Sequence, residues 1–164
     1  SRNKFNLIGN PYTAYVNSGD FANVNTDKLT EKTVWLWNGT SYTTYNATSP
    51  IEIAPGQGFF IEASTDGAIL FSTTNRSHQN TDTFMRQTPK TSFELFIENN
   101  DTKKSTKVFY IEGKTTDFDN GYDSKMFNGV SSSFEVFTQI VSNNQGKNLA
   151  TQTLPDTNYN SMVV

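Results

Sequence analysis

One dipeptide constrains this chain more than any other feature: the Asn38-Gly39 pair in "TVWLWNGTSYTTY", set between two alternating apolar runs. Asn-Gly is the strongest short-range hairpin signal, because the tightest hairpin turns need positive φ at both central positions. With Asn38-Gly39 as a two-residue loop, Trp37 faces Thr40 and Trp35 faces Tyr42 across the ladder. Successive strand residues point to opposite faces. One face therefore carries Trp35, Trp37 and Tyr42, and the other carries Val34, Leu36, Thr43 and Tyr45.

The same grammar continues along the chain. "KFNLIGNPY" is an apolar strand closed by a Gly-Asn-Pro turn, and "IEIAPGQGFFIEAS" reads as strand, Pro-Gly turn, strand. "GAILFST" is a further short strand. In "TSFELFIENN", Phe93, Leu95 and Ile97 alternate with Glu94, Phe96 and Glu98, and "KVFYIEG" returns as its antiparallel partner. "SFEVFTQIV", the turn "SNNQGKN" and "LATQTLP" complete the series. No segment sustains a 3.6-residue apolar period. Asn, Ser and Thr supply 57 residues, a composition of turns and half-buried pleated surface. The expectation is all-β: about nine or ten short strands in an antiparallel β-sandwich, jelly-roll-like, with helix confined to a turn or two.

A chain of 164 residues suits one module with a real core, spanning 1–164. Thirteen basic and sixteen acidic residues give a net charge of -3, which offers no electrostatic footprint for nucleic acid. The absence of cysteine removes disulfides, zinc-thiolate sites and thiol nucleophiles. No apolar run approaches the roughly 20 residues of a membrane-spanning helix. The chain opens on "SRNKFNLIGNPY" and ends on "NYNSMVV" as though cut from the middle of a longer protein.

Several segments, taken in order, carry a resemblance: "FNLIGNPYTAYVN", "VWLWNGTSYTTYN", "IAPGQGFFIEAS", "DFDNGYDSKMF" and "GKNLATQTLP". Together they resemble the β-sandwich region of large secreted Bacteroidota proteins that precedes the type IX secretion sorting domain. The resemblance implies a secreted or cell-surface location and a modular parent, an adhesin or a polysaccharide-degrading enzyme whose catalytic domain lies elsewhere. It also implies that the Trp-x-Trp hairpin is structural.

Three constellations could carry chemistry. Asp117, Asp119 and Asp123 surround Gly121, and calcium takes six to eight oxygens from such a set, with glycine at the sharp turn. The spacing is not that of an EF-hand, and Lys125 could pair with one of the acids instead. The competing reading is a turn whose carboxylates accept backbone N–H bonds, and it is favoured.

The aromatic hairpin is the second. Trp35, Trp37 and Tyr42 could form an exposed platform for stacking sugars, or they could fill a core. At least one of the two tryptophans is expected to be largely buried.

Catalysis is the third. His78 is the single histidine and lies in the polar stretch "TTNRSHQN", with no nucleophile-elbow motif to accompany it. Glu94 and Glu98 share a strand face but stand roughly 13 Å apart, beyond either glycosidase geometry.

The expected function is that of a noncatalytic extracellular module, carbohydrate-binding or adhesive, partnered by a polysaccharide or cell-surface glycan and by neighbouring domains of its parent. The alternatives are a structural spacer before the sorting domain and a polysaccharide-degrading enzyme domain.

Overall fold

The computed structural model describes residues 4–78, 90–100, 102–130, 133–141, 143 and 146–157. The fold is an all-β sandwich. Strands β1 (Phe5–Gly9), β2 (Tyr15–Asn17), β3 (Val34–Trp37), β4 (Tyr42–Tyr45), β5 (Glu52–Ile53) and β6 (Gly58–Glu62) come first. They are followed by β7 (Arg76–Ser77), β8 (Thr91–Asn99), β9 (Thr102–Tyr110), β10 (Ser124–Lys125) and β11 (Leu149–Leu154). One short helix, α1 (Ser18–Val24), interrupts them; the Asn17 side chain caps it by accepting from the N–H groups of Gly19 and Asp20.

Three sheets result, in the orders β1-β6-β3-β4, β10-β11-β9-β8 and β5-β2-β7. The first is central, because both of its faces are packed. Val34, Leu36, Phe59 and Ile61 point to one side and meet Val16, Ile53 and Phe21 from the small sheet and the helix. Trp35, Phe60 and Phe5 point to the other, where the Phe127 ring packs among them at centroid distances of 4.7 to 6.1 Å. The two four-stranded sheets meet on that side: the Thr44 and Thr151 hydroxyls lie 3.4 Å apart, and the Trp35 indole N–H donates to the Lys125 carbonyl at 3.2 Å.

The hairpin register differs from the expected one. Trp37 opposes Tyr42 and Trp35 opposes Thr44, so residues 38–41 form a four-residue loop. The reason is the Asn38 side chain, whose Oδ1 accepts from the N–H groups of Thr40 and Ser41 and widens the turn. A shift of two residues preserves every face, because the strand period is two. The assignment of Trp35, Trp37 and Tyr42 to one face therefore holds.

Other differences have equally local causes. β5 and β6 flank a Pro-Gly turn, yet they join different sheets, β5 pairing with β2 and β6 with β1 and β3. The Asn10 amide holds that corner by donating to the carbonyls of Ala14, Ile53 and Ala54. Residues 67–73, expected as a strand, form none; the Asn25 side chain accepts from Leu70 N–H and donates to the Leu70 carbonyl, standing in for a neighbouring strand. Residues 133–141 give one bridge, Thr138 to Leu149, because β9 pairs with β11 from Thr151 to Leu154 and β10 pairs with it at Leu149 and Thr151. That β9–β11 pairing is parallel, the one departure from antiparallel pairing among the described strands.

Candidate functional site

The facing surfaces of the two large sheets are filled at one end by Trp35, Phe5, Phe60 and Phe127. Toward the β3–β4 hairpin they open into a cleft of about 560 Å³. Its aromatic wall comes from the hairpin. Trp37 is 54% exposed, and its ring sits 5.1 Å from that of Tyr42, which in turn packs on Phe127 at 4.2 Å. The opposite wall comes from β9 and β8. Register places Lys103, Ser105 and Lys107 on the same face as Glu94, because Glu94 opposes Lys107. Ser41, Thr44 and Thr151 add hydroxyls. An aromatic wall facing hydroxyls, ammonium groups and carboxylates can stack an apolar ring face and hydrogen-bond its polar rim.

The three hairpin aromatics divide between two environments. Trp35 is fully buried, its indole N–H satisfied by a backbone carbonyl, and it forms no part of an exposed platform. Trp37 and Tyr42 line the cleft. Trp35 is central because β6 crosses opposite it, pairing Phe60 with Trp35, whereas Trp37 lies at the strand end beside the loop.

The three aspartates do not converge on one point. Asp123 is fully buried. Its Oδ1 accepts from the Thr153 N–H at 2.5 Å and the Thr153 hydroxyl at 2.6 Å, and its Oδ2 accepts from the Asp119 N–H at 2.7 Å. Burial outweighs those donors and pushes the Asp123 carboxyl up to about 6. Asp119 accepts instead from Thr115, at the backbone N–H and the hydroxyl. Asp117 is exposed. Among the described residues no group of three or more His, Asp or Glu side chains is placed to hold a metal ion.

The loop acts as a clasp. Asn120 accepts from Lys32 N–H, the Gly121 carbonyl accepts from Ala47 N–H, and the buried Asn46 amide donates to the Tyr122 carbonyl and the Ser124 hydroxyl.

A buried charge cluster lies beside this clasp, and sequence reasoning passed over it. Glu31 is almost fully buried, accepts from Lys125 N–H at 3.2 Å and pairs with Lys147 at 3.4 Å. Desolvation raises its carboxyl despite these partners. Glu62 pairs with Lys125, so the lysine suspected of engaging an aspartate engages a glutamate. Nothing in the local pattern around Glu31 distinguishes it from a surface acid; only the packing of β10 and the segment before β11 encloses it.

The remaining candidates stand apart from one another. His78 is exposed at the end of β7. Glu94 and Glu98 project from one face of β8 opposite Lys107 and Lys103, in charge-complementary cross-strand positions.

No protein-family model, curated protein or solved structure matches this chain.

Proposed function

We propose that this chain is a noncatalytic carbohydrate-binding module of a secreted or cell-surface protein, and that the hairpin end of the inter-sheet cleft is its binding site. The observation that carries the reading is the half-exposed Trp37 indole beside Tyr42, at the mouth of a cleft walled by hydroxyls and charged side chains. Exposing a tryptophan ring to water forgoes apolar burial of a kind worth roughly 1.5–3 kcal/mol for a large side chain. Sugar stacking is a use that fits it. The extracellular location and the modular parent rest on the resemblance of the five segments to the region preceding type IX sorting domains.

Affinity electrophoresis against a panel of polysaccharides tests the proposal. Retardation without release of product supports a binding module. Release of reducing sugar would instead make the chain an enzyme domain, and neither effect would make it a spacer.

The spacer reading draws support from one other feature. Strand β8 is a nine-residue sheet edge on which Leu95, Phe96 and Ile97 are exposed. Such an edge suits contact with a neighbouring domain.

A further inference from the structure

The cleft's charge differs in sign from that of the chain. Its lining residues include Lys103, Lys104 and Lys107 against Glu94 and Glu135, an excess of one positive charge, with Glu98 lying across the ladder from Lys103 outside that lining, while the whole sequence has a net charge of -3. Its lining is mixed in sign, and an excess of one sign between low-dielectric walls favours ligands of the opposite sign. The ion pairs within it are loose: Lys107 lies 3.8 Å from Glu94 and Lys104 lies 3.7 Å from Glu135. A partly exposed pair such as Lys107–Glu94 is weak, so an incoming anion competes for the Lys107 ammonium at little cost. The Lys103 ammonium stands over the Phe96 ring at 3.9 Å, on the same face of the β8–β9 ladder as Lys107. Four residues along a strand separate the two by roughly 13 Å, more than the width of one sugar ring. Trp37 and Tyr42 form the facing wall.

Resting on the carbohydrate-binding reading, we propose that the ligand is an anionic polysaccharide. Carboxylate or sulfate groups more than one ring apart along the polymer meet Lys103 and Lys107, while one ring stacks on Trp37. Lysine offers a point charge without the planar fork of arginine, so the shared chemistry is the negative charge, and uronate and sulfate esters are separated by experiment.

The whole chain is run through native gels containing alginate, a sulfated galactan or a neutral β-glucan, with single-stranded DNA as a further lane. The expected result is retardation by alginate or by the sulfated galactan. It should fall as salt is raised, because the attraction is electrostatic. It should weaken by about threefold to tenfold in Lys103→Gln/Lys107→Gln, and weaken also in Trp37→Ala. The lysines are surface groups, so circular dichroism of the double variant should match the parent.

Retardation by the β-glucan alone, unchanged in the lysine variant, would overturn the anionic assignment and leave a neutral carbohydrate-binding module. Anionic retardation that survives the lysine changes would overturn this site. Equal retention of single-stranded DNA would reduce the cleft to an unselective polyanion patch. No retardation by any polymer would remove this inference together with the carbohydrate-binding reading.

Discussion

Asp123 and Thr153 are joined by two hydrogen bonds to a single carboxylate oxygen, one from the Thr153 backbone and one from its hydroxyl. The pair fastens the loop preceding β10 to β11, inside the protein and out of contact with water. Its carboxyl titrates near 6 instead of its ordinary 3.8, because burial disfavours the charge more than the donors favour it. The folded state therefore holds this proton more tightly than the unfolded state. The resulting stabilisation is full below the ordinary carboxylate pKa and is lost as pH rises through about 6. Urea midpoints should fall between pH 4 and pH 7 by the equivalent of about 2–3 kcal/mol from this group. Asp123→Asn should flatten that part of the profile; an unchanged slope would show that Asp123 does not titrate in this range.

The aspartate loop should prove indifferent to calcium. The Asp123 and Asp119 carboxylates are each satisfied by separate donors of the chain, and Asp117 is exposed. Melting temperature should be the same with chelator and with added calcium. A rise with calcium would mean that the three acids rearrange around the ion, since a ligand bound only by the native state stabilises by mass action.

The loop's stability should depend on Gly121. Its φ of +93° lies where side chains are strained, and an added Cβ would stand 2.7 Å from Cε of Lys32. Lysine is flexible, so most of the cost should come from the backbone: Gly121→Ala is expected to lose about 1–2 kcal/mol in denaturant melts.

The two tryptophans should behave oppositely. Trp35→Ala empties a site packed by Phe5 and Phe127 and should cost roughly 3–5 kcal/mol. Trp37→Ala should change stability by less than about 1 kcal/mol, because half of that ring already faces solvent. One thermal melt per variant checks both. A destabilisation by Trp37→Ala as large as that of Trp35→Ala would make Trp37 a packing residue and remove the basis for the cleft as a binding site.

Lys147 should matter more than a surface lysine. It is paired with the buried Glu31, and its ammonium also lies 3.4 Å from the centroid of the Phe118 ring. Lys147→Met would leave the buried Glu31 carboxylate with only the Lys125 N–H and the Lys125 charge as compensation, at an expected cost of about 3 kcal/mol near neutral pH. The Glu31→Gln/Lys147→Met double variant should recover part of it. Equal losses in the single and double variants would show that the two side chains are not coupled.

Alternation and turn chemistry were enough to read the strand class, the antiparallel return after β8 and the shared face of Trp35, Trp37 and Tyr42, because each depends on residues near in sequence; the polar run "TKKST", which reads as turn, is the first half of β9. The face assignment survived an error in loop length, since a two-residue slip returns every side chain to its side. Burial along that face is a different quantity. Whether Trp35 or Trp37 is covered depends on where β6 crosses β3 and on Phe127 arriving from the far end of the chain. The apolar segments 67–73 and 133–141 look like strands locally, yet lack a free neighbour edge: Asn25 supplies the hydrogen bonds of one, and β9 and β10 flank β11 against the other. The acidity of Asp123, the enclosure of Glu31 and the juxtaposition of Trp37 with Lys107 likewise come from elements distant in sequence. Local pattern determined which residues could face inward together; long-range packing alone decided which of them water still reaches.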